Sequence, residues 1–218
     1  MLRAMANRKV KPARGLDGQV ALVTGGGEGA GKAVALALAA RGVRVVVMGR
    51  DERALGETVG EIANGGGKAR HLAGDERDAA QVDAAVARAR DVFGALDIAI
   101  ASAGTTEDLA LTFGAALREM SGPGRLLAIR CVGPDADARD ATFAARETEL
   151  RGLVRATARK VGARGITCNA VIASSSTADD DAAPQPEEIA ELIVFLCSAA
   201  GDAITGQAIA MGEVLIEA

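Results

Sequence analysis

Short runs of β-branched residues alternate with longer Ala-rich segments along most of the chain. This alternation is typical of strand–helix–strand units, in which successive strands lie parallel and helices cover the sheet. It predicts an α/β fold in which a doubly wound sheet of about seven parallel strands forms the middle of three layers. The predicted strands are Val20–Val23, Val43–Met48, Ala69–Ala73, Leu96–Ala101, Arg125–Ile129, Gly165–Val171 and Gln207–Met211. The predicted helices are Gly29–Arg41, Glu52–Ala63, Ala79–Phe93, Asp108–Met120, Asp140–Val161 and Pro186–Cys197.

The length of 218 residues suits one domain, which is predicted to run from residue 17 to residue 218. Residues 1–16 contain no acidic residue and five basic ones, namely Arg3, Arg8, Lys9, Lys11 and Arg14. Blocks of like charge usually stay solvated, so this basic N-terminal arm is predicted to be disordered. No apolar run follows it, which argues against a secretory signal.

The charge and the cysteines narrow the class of function. The net charge is −4 and the pI is about 5.2, which gives no general attraction to phosphate backbones, so nucleic acid is not an expected partner. No apolar run is long enough to span a bilayer, so the protein is expected to be cytoplasmic and to have no membrane partner. Cys131, Cys168 and Cys197 are widely spaced in apolar surroundings, which predicts buried reduced thiols and no metal site.

The first predicted strand ends in the glycine-rich sequence TGGGEGAG, Thr24–Gly31, which leads directly into a helix. Glycines let backbone amides approach a pyrophosphate closely, and the helix N-terminus adds partial positive charge. At the first strand-to-helix junction of an alternating α/β chain, this arrangement predicts a Rossmann-type fold with a nucleotide site. The alternative is a tight turn that is needed only for packing.

The end of the second predicted strand bears on the choice of cofactor. A dinucleotide site contacts the adenosine ribose there, and a carboxylate suits a free 2′-hydroxyl whereas an Arg suits a 2′-phosphate. This chain has Gly49, Arg50 and Asp51 at that point. Arg50 favours NADP(H), while Asp51 and Glu28 of the glycine loop would repel a second phosphate. NADP(H) is therefore expected in preference to NAD(H), if either is bound.

The pattern Thr24-Gly25-x-x-x-Gly29-x-Gly31 resembles the cofactor signature of the short-chain dehydrogenase/reductase family. Further segments resemble family segments in the same order: LAGDERDAAQV, LDIAIASAG, GRLLAIRC, GITCNAV and PEEIAELIVFLCSAAGDAITGQAI. The resemblance extends from about Leu16 to Met211 and implies that Asp75 binds the adenine. The full set of cofactor-binding residues that it implies is Thr24, Gly25, Gly29, Ala30, Gly31, Arg50, Asp75, Ala103 and Gly104.

The same resemblance implies that the catalytic residues are replaced. In the family a Tyr protonates the substrate carbonyl, a Lys four residues later lowers the pKa of that Tyr, and a Ser orients the carbonyl. These positions fall on Phe143, Glu147 and Cys131, and the chain contains no Tyr at all. Phe has no ionisable proton, and the loss of a positioned general acid typically lowers a rate by about 10²- to 10⁴-fold. No catalytic residue is therefore expected at these positions, and Cys131 is expected to be a buried structural thiol.

Two further family elements are reduced in this chain. The family's relay Asn lies on a helix between the fourth and fifth strands. The interval from Gly104 to Arg125 holds the predicted helix Asp108–Met120 but is shorter than in the family, so the helix that bears this Asn is expected to be absent. The substrate loop, Ser174–Gln185, is also shortened, and within it Thr177 is only an approximate counterpart of the Thr that meets the cofactor's carboxamide.

Three hypotheses on function follow. The first is a catalytically degenerate family member, or pseudoenzyme, that serves as a structural or regulatory subunit. The second is an active NAD(P)-dependent short-chain oxidoreductase with an atypical proton donor, such as water or the Asp179–Asp181 loop. The third is a nucleotide-responsive binding module. Because the segment Glu187–Met211 matches a pairing surface of the family, the expected partners are further copies of the chain or an active paralogue.

Overall fold

The structure is a computed structural model that describes residues 15–102, 104–132, 141–174 and 184–212, with the backbone alone for 141–143. The predicted N-terminal arm lies outside the described residues except for its last two positions, and its disorder stays a prediction. Most of the predicted substrate loop is outside them as well, since residues 175–183 are not described.

Seven parallel strands form one sheet, as the sequence predicts. They are β1 (Val20–Thr24), β2 (Arg44–Gly49), β3 (Lys68–Ala73), β4 (Ile98–Ser102), β5 (Gly124–Val132), β6 (Ile166–Ser174) and β7 (Ala208–Gly212). Their order across the sheet is β3-β2-β1-β4-β5-β6-β7. The first three strands therefore extend the sheet on one side of β1, and β4 to β7 extend it on the other side. The strand order reverses between β1 and β4, and sheets of this kind bind ligands at the carboxyl ends of the strands at that point.

Six helices cover the two faces of the sheet. They are α1 (Gly29–Ala39), α2 (Glu52–Asn64), α3 (Ala79–Phe93), α4 (Thr106–Glu119), α5 (Ala141–Val161) and α6 (Pro186–Cys197). Buried residues of α1, α2 and α6 share one apolar core, and those of α3, α4 and α5 share another on the opposite face. The structure thus confirms the predicted three-layer, doubly wound α/β fold. Within the described ranges, no helix is long and apolar enough to cross a membrane.

Local capping explains where several of these helices begin. Asp51 and Asp78 precede α2 and α3, and each carboxylate accepts a hydrogen bond from a backbone amide of the first turn. Thr105 and Asp108 form a reciprocal capping box at the start of α4. These caps stabilise the helix ends nearest the carboxyl edge of the sheet, and they therefore fix the frame around that edge.

The predicted helix Asp108–Met120 is confirmed between the fourth and fifth strands, where it runs from Thr106 to Glu119. The interval contains α4, a helix of 14 residues that packs against both α3 and α5. The apolar face of α4, with Leu109, Phe113 and Ala116, is buried in the core that α3 and α5 share. The shortening therefore removes other residues of this interval and leaves the helical layer complete. No Asn lies on α4, so the relay residue is absent although a helix is present.

Two of the three thiols behave as the sequence predicts. Cys168 and Cys197 are buried, and burial raises the pKa of each thiol to about 12. Both are therefore protonated and unreactive in the folded protein at neutral pH. A metal centre finds no support in the described ranges, which hold no group of three His, Cys, Asp or Glu side chains placed as ligands.

Candidate functional site

A groove of about 490 Å³ lies at the carboxyl edge of the sheet, at the point where the strand order reverses. The glycine loop, the end of β2, the start of α2 and the ends of β4 and β5 form its walls. Five of the predicted cofactor-binding residues line it, namely Gly25, Gly29, Ala30, Gly31 and Arg50. The structure therefore brings the glycine loop and the second strand end together in one concave site.

The glycine loop contains glycine because some of its positions have a positive φ angle and because another has no room for a side chain. Gly25 and Gly29 have φ angles of +66° and +53°, a region that other residues seldom adopt. Gly31 is required by packing, because a Cβ atom there would lie 2.1 Å from the carbonyl oxygen of Gly25. Gly29 is different, since a Cβ atom would meet nothing within 4 Å and the space beside its backbone is open to a ligand.

Thr24 holds the two central strands together and does not line the groove. Its side chain is fully buried, and its Oγ1 accepts a hydrogen bond of 3.2 Å from the backbone amide of Ser102. This bond links the end of β1 to the end of β4 across the reversal point. Ser102 itself lines the groove, so Thr24 acts on the site by positioning its floor. Gly104 is exposed next to this floor but outside the lining, and Ala103 lies outside the described residues.

Charged residues of both signs line the end of the groove that lies next to β2. Arg50 and Asp51 follow β2, and both are exposed there. The Asp51 carboxylate accepts a hydrogen bond of 3.1 Å from the Ala54 amide, so the N-terminus of α2 stabilises its charge. Glu28 precedes α1, is exposed, and makes no side-chain hydrogen bond to cap that helix. Both acidic residues were expected to oppose a 2′-phosphate. The carboxylate of Asp51 caps α2, whereas the carboxylate of Glu28 caps no helix.

Asp75, the predicted adenine contact, is bound to Arg77 and does not line the groove. Both carboxylate oxygens accept hydrogen bonds from the Arg77 side chain, at distances from 2.6 to 3.2 Å. The hydrogen bond to this side chain, and a second one from the Arg77 backbone amide, hold the pKa of Asp75 well below its usual range. Its neighbour Glu76 lines the groove in its place, which the sequence did not indicate.

The prediction that Cys131 is a buried structural thiol is wrong. The residue is exposed, and it lines the groove at the end of β5, opposite the glycine loop. The reason is that β5 runs three residues past its predicted end at Ile129, which carries Cys131 beyond the helices that cover the strand. Partial burial among its neighbours still raises the pKa of this thiol, so the thiolate is disfavoured at neutral pH.

The two predicted replacements on α5 lie near the start of the helix. The backbone of Phe143 is helical, and its side chain is outside the description. Glu147 is largely buried, with only 14% of its side chain exposed. Its Oε2 accepts a hydrogen bond of 3.3 Å from Arg151, one turn later, and its Oε1 is buried without a partner in the described part of the chain. A largely buried carboxylate thus lies at the residue that the resemblance assigns to the family's Lys, and this assignment stays a prediction.

Arg130 is a charged residue at the end of β5 that sequence reasoning missed. It is only 7% exposed, and its Nη1 donates a hydrogen bond of 3.1 Å to the carbonyl oxygen of Arg146 on α5. Burial, together with the nearby charge of Arg146, lowers the pKa of Arg130. The signal that could have revealed it is a charged residue, Arg130, directly after the apolar run LLAI.

Comparison with known proteins identifies the family. A profile of the family described as short chain dehydrogenase matches residues 19–120. The chain is 30% identical to the short-chain reductase protein NovJ of Streptomyces niveus, over 87% of this chain and 91% of that protein. It is 32% identical to a 3-oxoacyl-(acyl-carrier-protein) reductase of Synechocystis sp., over 88% and 94% respectively. A short chain dehydrogenase from Burkholderia cenocepacia, solved in complex with NADP, matches with a TM-score of 0.79 and 25% identity over 91% of this chain and 98% of that one. In sequence and in fold, the chain therefore belongs to the short-chain dehydrogenase/reductase family.

Proposed function

We propose that the groove binds a nicotinamide adenine dinucleotide. The observation that carries this proposal is the position of the glycine loop, which lines the groove with the first residues of α1, Gly29–Gly31. The side chain of Glu28 does not cap α1, so the first amides of the helix can donate to a pyrophosphate. The open space beside Gly29 lets ligand atoms reach the backbone. The residues present therefore fit the cofactor class of the family.

The preferred cofactor in this proposal is NADP(H). Arg50 lines the groove at the end of β2, where its guanidinium can pair with a 2′-phosphate. Asp51 is engaged as the cap of α2, which weakens the expected repulsion. Glu28 remains as the opposing charge. The matched structure from Burkholderia cenocepacia is described in complex with NADP, which supports the same choice.

Reduction of a carbonyl compound with this cofactor is the activity that the family relationship supports first. The two curated relatives are named as reductases, and the chain covers more than nine-tenths of each. The proton donor would be atypical, because the sequence contains no Tyr. Water is one source, and the Asp179–Asp181 segment, which lies outside the described residues, is another. The activity proposed here is therefore that of an NAD(P)-dependent short-chain oxidoreductase without the usual acid.

A non-catalytic structural or regulatory subunit is the second candidate, and Glu147 is the observation that favours it. A negative charge at the position of the family's Lys does not stabilise a developing alkoxide. The partner would be an active paralogue or further copies of this chain. Phe195 on α6 has 41% of its surface exposed and offers an apolar contact for such an assembly. The nucleotide-responsive binding module stays a hypothesis, since the loop that it invokes is outside the described ranges.

Both candidates require dinucleotide binding, and they differ in turnover. The purified chain is titrated with NADPH, and NADPH consumption is then followed with 3-oxoacyl thioesters and simple ketones. Turnover of about 1 s⁻¹ or more, within the usual enzymatic range, that is lost in Gly29→Val would establish the oxidoreductase. Binding without turnover, together with a second family-like chain in native mass spectrometry of the protein from its own cells, would establish the subunit. No binding of NADPH or NADH would overturn the proposal.

Cys131 provides an independent test that the ligand lies in the groove. A maleimide label should react with Cys131 alone in the folded chain, because Cys168 and Cys197 are buried. Saturating NADPH should slow this reaction, since Cys131 lines the same groove as the glycine loop. A labelling rate that is unchanged while NADPH is bound would place the dinucleotide elsewhere.

A further inference from the structure

Arg130 carries a full positive charge into the interior between the sheet and α5. Leu126 and Ala128 lie four and two positions before Arg130 on β5, and their side chains belong to the core shared by α3, α4 and α5. Because side chains alternate along a strand, the Arg130 side chain lies on the same face. Its exposure of 7% leaves almost no contact with water. A guanidinium stays protonated in proteins, so this position holds a buried cation.

Two of the three guanidinium nitrogens of Arg130 have no partner among the residues that the structure describes. Nη1 is used by the carbonyl oxygen of Arg146. Nε and Nη2 are shielded from solvent and make no hydrogen bond within the described part of the chain. The N–H groups of Nε and Nη2 lie on the same edge of the planar group. They form the fork that matches the two oxygens of a carboxylate.

The neighbouring charges do not fill this fork. Glu147 and Glu149 lie close enough on α5 to raise the pKa of Arg130, while Arg146 lowers it. Glu147 is bonded to Arg151 through Oε2, and Glu149 accepts a hydrogen bond of 3.5 Å from Thr106. None of the ion pairs formed among the described residues includes Arg130. Among the described residues near the end of β5, the three cations Arg130, Arg146 and Arg151 and the two carboxylates thus leave an excess of one positive charge.

We propose that the fork of Arg130 is a binding site for the carboxylate of a small organic acid. An unpaired charge away from water is unfavourable, and a bidentate carboxylate would remove this cost by supplying both the opposite charge and two acceptors. The adjacent residue, Cys131, lines the groove at the end of the same strand. The Arg130 fork itself is not part of the groove lining, so the carboxylate site lies beside the groove. The relation of this site to a bound dinucleotide rests on the proposed function, whereas the carboxylate site itself does not.

Acetoacetate is a suitable probe, and its methyl ester is the matched neutral control. Binding is measured by calorimetry without dinucleotide and again with saturating NADPH. Wild type should bind acetoacetate in preference to the ester. Arg130→Met should weaken acetoacetate binding by about tenfold or more, and Arg130→Lys by a smaller factor, because Lys keeps the charge without the fork. Arg159→Met, which removes an exposed charge from α5, should leave the affinity within about twofold.

Equal acetoacetate affinity in wild type and Arg130→Met would overturn the proposal. If Arg130→Met does not fold, acetoacetate affinity is compared between wild type and Arg130→Lys instead. Equal affinity in these two proteins would also overturn the proposal. Failure of wild type to bind acetoacetate, with strong coupling between Arg130→Met and Glu147→Gln in thermal unfolding, would show an internal ion pair and also overturn it. Acetoacetate binding in a chain that binds no dinucleotide would support this site while contradicting the proposed function.

Discussion

The two ends of the groove retain different amounts of the family's pattern. At the end formed by β1, α1 and β2, the glycine loop and Arg50 keep the residue types that the family uses for its cofactor. At the other end, Cys131 of β5 lines the groove, and Glu147 lies on the neighbouring α5 outside that lining. The family resemblance predicts that these two residues replace the Ser and the Lys, and the chain has no Tyr. Both ends nevertheless rest on complete strands and helices of the same sheet.

The fold needs glycine at some positions of the glycine loop whether or not the protein catalyses a reaction. A Cβ atom would clash at Gly31 with the Gly25 carbonyl and at Gly26 with Val47, at 2.7 Å, whether or not a nucleotide binds. A catalytic Tyr or Lys has no comparable packing role, and α5 remains anchored through Leu150 and Val154, which are fully buried. An intact glycine loop therefore indicates the fold more firmly than it indicates cofactor binding.

Gly31→Ala should produce the largest effect, because the added methyl group meets backbone that cannot move aside. We expect a loss of about 3 kcal/mol or more in the free energy of unfolding, and no measurable NADPH binding. Chemical denaturation and NADPH titration measure the two effects. Gly60→Ala, on the open surface of α2, is the matched control and should stabilise the chain by about 0.5–1 kcal/mol. A Gly31→Ala variant as stable as wild type would contradict the structure of the loop.

Leu55→Ala and Leu150→Ala compare the packing at the two ends of the groove directly. Leu55 lies on α2 and Leu150 on α5, and both are fully buried. Each substitution should cost about 2–5 kcal/mol in the free energy of unfolding, since both leave a cavity. Chemical denaturation with Arg159→Ala as the exposed control gives the measurement. A cost below about 1 kcal/mol for Leu150→Ala alone would show that the core beside β5 and α5 is less tightly packed than the core beside α2.

Arg50→Ala tests whether the retained end still selects its cofactor. Loss of the guanidinium should weaken NADPH binding by about tenfold, or about 1.4 kcal/mol, and NADH binding by much less. Glu28→Gln should strengthen NADPH binding by a few fold, because it removes the opposing charge. Arg53→Ala, at the second residue of α2 and outside the groove lining, is the control. Equal changes for NADPH and NADH in Arg50→Ala would refute a contact with the 2′-phosphate.

Arg77→Ala should produce the smallest effect, a loss of stability that is present at neutral pH and disappears in acid. The hydrogen bonds from Arg77 lower the pKa of Asp75 in the folded state, so they stabilise the fold above the ordinary pKa of an Asp. This stabilisation is lost as the pH falls below that value towards the lowered one. In Arg77→Ala the pKa of Asp75 should return towards its usual range, which a carboxyl NMR titration measures. If Asp75 instead binds adenine when NADPH is present, its pKa will change on addition of the ligand in wild type.

The fold was largely predictable because hydrophobic periodicity and glycine punctuation are local signals. The residues of α3 and α6 agree with the prediction at both ends. The predictions for β5 and β6 stopped three residues short, at Ile129 and Val171. In β5 the charged residue Arg130 interrupts the apolar run, whereas in β6 the run continues through Ile172 and Ala173. Pairing between the two strands continues to their ends.

The site was predictable only where its chemistry depends on the backbone. The glycine loop and Arg50 lie where the motif places them, at the groove. The contact between Asp75 and Arg77, the exposure of Cys131 and the open fork of Arg130 depend on side-chain direction and on where strands end, which periodicity does not encode. Short-range pattern thus predicts the frame of the groove, and tertiary contacts decide the partners of its charged groups.

The packing of α1 against α6 joins two segments that the ribosome synthesises far apart in time. The two helices share one apolar core, and Arg41 near the end of α1 forms an ion pair of 2.8 Å with Glu191 on α6, 150 residues later. The helix that presents the glycine loop therefore lacks its neighbour until the ribosome has passed Cys197. Contacts of such long sequence separation slow folding and leave apolar surface exposed in the meantime. The nascent chain should accordingly depend on chaperones until its last helix emerges.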